Sequence, residues 1–162
     1  MTPSIRTVLT NPIHFVAFGF GSGLTPFAPG TAGTIAAIPL YLLLEQLSLP
    51  FYLVVVVLAF LFGIWVCGRA GDDLGVHDHG GIVWDEFVGF WVTMVAAPAG
   101  WQWVAAGFLL FRLFDIWKPW PISWADQKVS GGFGVMLDDL IAGGYALAVL
   151  QFSSLFVPLS GQ

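Results

Sequence analysis

Charge is scarce in this sequence. Of its 162 residues only 9% are Asp, Glu, Lys or Arg, and Lys and Arg together number five. A soluble domain carries about 25% charged residues, so too little polar side chain is present to cover a water-facing globule. The formal net charge of −5 argues against a nucleic-acid partner, which needs a cationic surface. Cysteine is nearly absent: Cys67 stands alone, which excludes an intramolecular disulfide. Residues Met1 to Asn11 hold one arginine and no long apolar run, a pattern that predicts no cleavable signal peptide. No internal repeat or low-complexity tract occurs, and the length predicts one domain over residues 1–162.

Hydrophobic residues make up 57% of the chain, and they fall into runs. The runs predict an all-α integral membrane bundle of about five spans: Thr31–Leu47, Phe51–Cys67, Ile82–Ala97, Trp101–Trp117 and about Val135–Val157. Thr31 offers a side-chain cap for the first span, and Leu49-Pro50 reads as the turn before the second. Pro98-Ala99-Gly100 divides what is otherwise one uncharged stretch, and Trp101 and Trp103 follow with an interfacial preference. The spans on either side of that break then form a short antiparallel pair. Sixteen residues rise only about 24 Å against a hydrocarbon core of about 30 Å, which draws their charged ends toward one interface. Five spans put Arg6, Arg69, Arg112, Lys118 and Lys128 on one side, the cytoplasmic one by the positive-inside rule. Nine of the ten acids fall there too, and Glu45 goes to the other side. The stretch Asn11 to Pro29 is apolar but broken by Gly19, Gly21, Gly23, Pro26 and Pro29. It is expected to lie along the cytoplasmic interface or to fold back into the bundle.

Four stretches carry the residues of chemistry. The first runs Gly19-Phe20-Gly21-Ser22-Gly23-Leu24, then Pro29-Gly30-Thr31-Ala32-Gly33-Thr34. Backbone N–H groups of Gly21, Ser22, Gly23, Gly30 and Thr31, with the hydroxyls, are candidates for cradling an anion. The bland alternative is an entry loop with glycines for close packing. The second runs from Asp72-Asp73 through His77-Asp78-His79 to Asp85-Glu86 at the start of a helix. Carboxylates near lipid are costly and usually functional. The two histidines lack a second ligand cluster, which argues against zinc, and Asp72 and Asp73 read equally well as solvated loop charge. In the third stretch Arg112 and Asp115 share one helix face, and Lys118 stands where Pro119 ends the helix. Snorkelling accounts for the two cations but not for Asp115. In the fourth, Asp138 and Asp139 open the last helix. The helix dipole alone accounts for them in part, yet paired carboxylates at a desolvated site call for a cation.

All-oxygen ligands from Asp85, Glu86, Asp115, Asp138 and Asp139 suit Mg²⁺ or Mn²⁺. Arg112 and Lys118, with the glycine-rich stretch, suit a phosphate group. Of these, Asp85, Glu86, Asp115 and Asp139 are the expected catalytic residues. Composition and spacing reach as far as a membrane site for metal and phosphate.

At these stretches the sequence resembles the phosphatidylglycerophosphatase A family. The resemblance spans roughly Phe18 to Gly143. It rests on G-F-G-S-G-L with P-G-T, on I-V-W-D-E-F-V-G, on F-R-L-F-D-I-W-K-P and on G-G-F-G-V-M-L-D-D, with every acidic and basic position of those motifs present. It implies a bacterial inner-membrane enzyme that uses Mg²⁺ to hydrolyse phosphatidylglycerophosphate, a phospholipid substrate, to phosphatidylglycerol and phosphate. Cys67 and Arg69 are too close for a cysteine phosphatase loop, and no Ser-Gly-His occurs. Metal-activated water is the expected nucleophile, with an aspartyl phosphate as the open alternative. A rival of another class is a small divalent-cation transporter. It would favour ligands at mid-membrane on broken helices, whereas the acids here are expected at helix ends on one side.

Overall fold

The structure, a computed structural model, describes residues 5–76 and 79–156. Every regular element among them is helical: α1 (Ile5–Thr10), α2 (Pro12–Ala17), a 3₁₀ segment (Gly19–Leu24), α3 (Pro29–Leu44), α4 (Leu49–Leu74), α5 (Trp84–Thr93), α6 (Trp101–Trp117), α7 (Ile122–Lys128) and α8 (Gly131–Ser154).

Helix α6 has the bounds that its sequence pattern predicts. The other helices depart from theirs for local reasons. α3 starts two residues early, at Pro29, whose fixed φ suits a first helical position. Its N-cap is Ala28 in the left-handed region, with no side-chain cap, so Thr31 lies inside the first turn and does not cap the helix. α4 outruns its apolar stretch by about two turns. Arg69 pairs with Asp73 one turn on, at 3.3 Å, and Gly75 at φ 66° closes the helix. Asp72 and Asp73 are therefore helical rather than loop residues. α5 is shorter than expected. Val83 N–H donates to Ala17 O at 2.8 Å, which ties the approach to α2, and Ala96 at φ 52° turns the chain before Pro98.

α8 starts at Gly131 instead of Val135, and the expected end at Val157 lies outside the described residues. Asp138 and Asp139 consequently stand two turns inside the helix rather than at its opening, where the end dipole no longer accounts for them. The glycines before them are contact points and do not delay the helix. Gly132 packs on Ile64 O and on the backbone of Gly68 in α4, with no room for a Cβ.

α8 is the central helix and packs on α4, α5, α6 and α7. It crosses α5 where Gly143 meets Gly89 O, the close approach that small residues permit. Aromatic tips cross-link the bundle: Tyr52 OH donates to Trp91 O at 2.6 Å, Trp84 Nε1 to Ala59 O and Trp91 Nε1 to Ala37 O. The N-terminal segment folds back into the bundle, burying Ala17 and Phe18 and seating Gly23 on Gly81 O. α5 and α6 form the helical hairpin that the Pro98–Gly100 break predicts. Among the described residues two helices, α4 and α8, are long and apolar enough to cross a membrane. The outward face of α4 presents Phe51, Val54, Val57, Leu58, Leu61 and Trp65.

Candidate active site

Three helices meet with their charged residues turned inward. Glu86 comes from the first turn of α5, Arg112 and Asp115 from the last turns of α6, and Asp138 and Asp139 from α8. The local reason on α6 is the i, i+3 spacing of Arg112 and Asp115. On α5 and α8 the reason is that Gly89 lets the helices close in beside Asp139 O. Glu86, Asp138 and Asp139 are all buried, at 7%, 7% and 3% exposure. Such burial of carboxylates is costly unless they are paired or bind a cation.

Arg112 does much of the pairing. Its Nη1 lies against Glu86 Oε1 and 2.6 Å from Asp115 Oδ2. Glu86 Oε2 accepts a hydrogen bond from Thr34 Oγ1 of α3 at 2.7 Å. Gly30, one turn before Thr34, lies so near that a Cβ there would collide with the Glu86 carboxylate and crowd Arg112 Nη1 at 3.1 Å. The N-terminal turn of α3, with Gly30 and Thr31, thus borders the charged group. Asp85 turns its Oδ1 to the Glu86 N–H at 3.0 Å, and its charge acts on Asp139.

Lys118 caps α6 in the left-handed conformation and reaches Asp126 of α7 at 2.7 Å and Asp138 at 2.6 Å. Burial alone would depress its pKa, but hydrogen bonds to Asp126 and Asp138 prevail and hold it above the ordinary lysine range. Lys118 is therefore cationic at any physiological pH.

Among the described residues, two polar atoms here are buried without a partner. One is Asp139 Oδ2, an acceptor; the other is Arg112 Nε, a donor. Asp115, Asp138 and Asp139 each offer a carboxylate oxygen, and the three lie within 4.8 Å of one another. Three carboxylates so close repel unless a cation lies among them, and the donor set is all oxygen, as Mg²⁺ prefers. A divalent cation fits these residues. Glu86, expected as a further ligand, is engaged instead by Arg112 and Thr34.

The 3₁₀ segment is not part of this group. The N–H groups of Gly21 and Gly23 both donate to Phe18 O at 3.0 Å, and Ser22 Oγ donates to Gly19 O at 2.8 Å. Gly21, Ser22 and Gly23 have thus spent these donors locally and hold a packing turn, contrary to the expectation that they cradle phosphate. His79 Nδ1 accepts from Gly81 N–H and its ring packs on Phe18; His77 and Asp78 lie outside the described residues. Sequence reasoning missed Thr34 as the partner of Glu86 and Asp126 as the partner of Lys118. No spacing signal marks either, because each contact joins separate helices.

The fold and this charged interior define a class, a helical protein with a cluster of buried carboxylates set beside its own arginine and lysine. The family model described as phosphatidylglycerophosphatase A matches residues 15–154, and the chain belongs to that family. It is 50% identical over 155 residues to the phosphatidylglycerophosphatase A of Escherichia coli (strain K12), covering 95% of this chain and 90% of that protein. It is 49% identical over 150 residues to the protein of that name in Haemophilus influenzae, covering 91% and 92%. A protein of Bacteroides thetaiotaomicron, 41% identical over 143 residues, covers 83% of this chain and 89% of that one. It is provisionally named a phosphatidylinositol-3-phosphatase. The transporter alternative finds no support in these relatives. No solved structure matches the chain.

Proposed function

We propose that this chain hydrolyses the phosphomonoester of phosphatidylglycerophosphate to phosphatidylglycerol and phosphate, at the cytoplasmic face of a bacterial inner membrane, with Mg²⁺ as cofactor. One observation carries the chemistry: a buried acceptor without a partner, Asp139 Oδ2, shares a site with a buried donor without a partner, Arg112 Nε. A cation and an anion together complement that pair. Family membership supplies the substrate.

Asp115, Asp138 and Asp139 would hold the cation, with Asp85 beside them. When bound, it supplies Lewis acidity toward the phosphoryl group and acidifies water. Arg112 presents a planar fork suited to phosphoryl oxygens; Glu86, itself held by Thr34, and Asp115 orient that fork. Lys118 adds a second fixed cation. The N-terminal turn of α3, at Gly30 and Thr31, adds main-chain N–H groups and partial positive charge. In hydrolysis the water oxygen bonds to phosphorus and the bond to the glycerol oxygen breaks. A carboxylate of the group takes the proton from water, and the leaving oxygen gains one.

The membrane reading is supported by the lengths of α4 and α8 and by the apolar outer face of α4. With α3 and the α5–α6 hairpin these make up the five expected spans; α5 itself rises only about 15 Å over its ten residues, and residues 94–100 carry the rest of that crossing. Arg69, Arg112, Lys118 and Lys128 then share the active-site side, which the positive-inside rule makes cytoplasmic.

The test is phosphate release by the purified chain from phosphatidylglycerophosphate in mixed micelles, after chelation and again with Mg²⁺. Release that depends on Mg²⁺ is expected. Phosphatidylinositol 3-phosphate belongs in the same panel because of the Bacteroides relative. Preferential release from that lipid would overturn the headgroup assignment, and no release from either lipid would overturn the hydrolytic reading.

A further inference from the structure

α3 and α6 stand together at the charged site, where Gly30 borders Arg112. Farther along they leave a cavity of about 600 Å³ between them. Ile35, Ile38 and Leu42 form one wall, and Val104, Ala105 and Leu109 the other. The slot is open at both ends of its length, since Ile35 and Leu109 are 54% and 65% exposed at one end and Leu42 and Trp101 42% and 76% at the other. It begins close to the charged site: Ile35 lies five residues after Gly30, and Leu109 three residues before Arg112. It ends at Glu45 and Gly100. From Ile35 to Glu45 a helix rises about 15 Å, half of the roughly 30 Å hydrocarbon core and so the depth of one leaflet.

We propose that this slot binds an acyl chain of the phospholipid substrate, with the phosphate at Arg112 and the chain running down between α3 and α6. The assignment rests on the phospholipid phosphatase reading above. Three features select this occupant. The slot starts one helical turn from Arg112 on α6 and next to Thr34 on α3. Its walls are apolar side chains, with a carboxylate only at the far end. Its length is that of one leaflet. A helix of a second copy packed along the slot would bury the exposed Glu45 carboxylate at a cost, whereas an acyl chain ending short of Glu45 leaves it uncovered. The outer face of α4 is equally apolar but lies away from the charged site, so it meets bulk lipid rather than substrate.

The full chain in phosphatidylethanolamine vesicles tests this. The probe is phosphatidylglycerophosphate carrying a photoreactive diazirine in mid-chain; the control is phosphatidylcholine with the same chain. The substrate probe should label segments 35–45 and 101–109, and unlabelled phosphatidylglycerophosphate should compete. The phosphatidylcholine probe should label the α4 face without competition. Ala105→Trp, which fills the slot, should cut competed labelling and lower kcat/KM on the diacyl substrate by about tenfold, the effect of a few methylenes losing their burial. Val57→Trp on the outer α4 face should change neither. Equal labelling of slot and α4 by the substrate probe would overturn the proposal. So would unaltered labelling in Ala105→Trp, or cross-links between the α6 helices of two copies. Labelling reads binding without turnover. Competed labelling of the slot in a protein that releases no phosphate would therefore sink the hydrolytic reading and keep the slot. Phosphate release with no slot labelling would do the reverse.

Discussion

Arg112 Nη1 stands between two carboxylates, against Glu86 Oε1 of α5 and 2.6 Å from Asp115 Oδ2 of its own helix. One guanidinium thereby fixes α5 to α6 at the site while its Nε stays unpaired. A lysine ammonium could meet both acids but not also hold a second donor nitrogen in reserve, as Nε does beside Nη1. Arg112→Lys should lower phosphate release by roughly 10²–10³, the cost of losing a charge-assisted contact to the transition state. Steady-state kinetics on micellar substrate, with thermal unfolding as the control for folding, measure it. Wild-type turnover in Arg112→Lys would place the phosphate elsewhere.

Asp139→Asn removes a buried carboxylate whose Oδ2 has no partner. In chelator the variant should be at least as thermally stable as wild type, because an uncompensated charge is gone. Adding Mg²⁺ should raise the melting temperature of wild type, by linkage worth about 2.7 kcal/mol at a hundredfold excess over Kd. It should not raise that of Asp139→Asn or Asp138→Asn. Paired melting curves with and without the ion decide this independently of activity. An undiminished Mg²⁺ shift in both variants would move the cation away from α8.

Thr34 Oγ1 donates its one proton to Glu86 Oε2 at 2.7 Å, with Gly30 O as the more distant second acceptor at 3.0 Å. Thr34→Val keeps the shape and deletes the hydroxyl, leaving a buried carboxylate oxygen short of one donor. A loss of about 1–3 kcal/mol in stability is expected, with reduced turnover, and Thr34→Ser should restore both. Denaturant unfolding and kcat measured on the same preparations provide the comparison.

Two glycines of α8 should answer differently to the same substitution. Gly132→Ala would drive a methyl into Ile64 O and the Gly68 backbone, whereas a Cβ at Gly144 meets nothing within 4 Å. The first should cost about 1–3 kcal/mol as overpacking, and the second should be neutral or slightly stabilising. Equal melting temperatures for the two variants would contradict the close crossing of α4 and α8.

Single cysteines at Lys128 and Gly100 should label from opposite sides of the membrane. Cys67 is fully buried, so it contributes little background. A membrane-impermeant maleimide applied to intact cells and to inverted vesicles reads the sides. Labelling of both positions from one side would reject the five-span arrangement.

The sequence alone determined the helical class, the break at Pro98–Gly100, the bounds of α6, the identity of the acids and cations and the family resemblance. These are local or compositional properties: runs of apolar residues, the i, i+3 spacing of Arg112 and Asp115, and a proline that ends a helix at Lys118. Only the tertiary structure decided which charges pair. Glu86 and Arg112 are 26 residues apart, Thr34 and Glu86 are 52 apart, and Lys118 and Asp138 are 20 apart. It also decided that the N–H groups of Gly21 and Gly23 go to Phe18 O, and that α8 begins at Gly131, which takes Asp138 and Asp139 from a helix end to its interior. The physical reason is the same in each case. Helices approach where glycine removes a side chain, at Gly89 with Gly143 and at Gly68 with Gly132, and nothing in a glycine's sequence neighbourhood says which backbone it will meet.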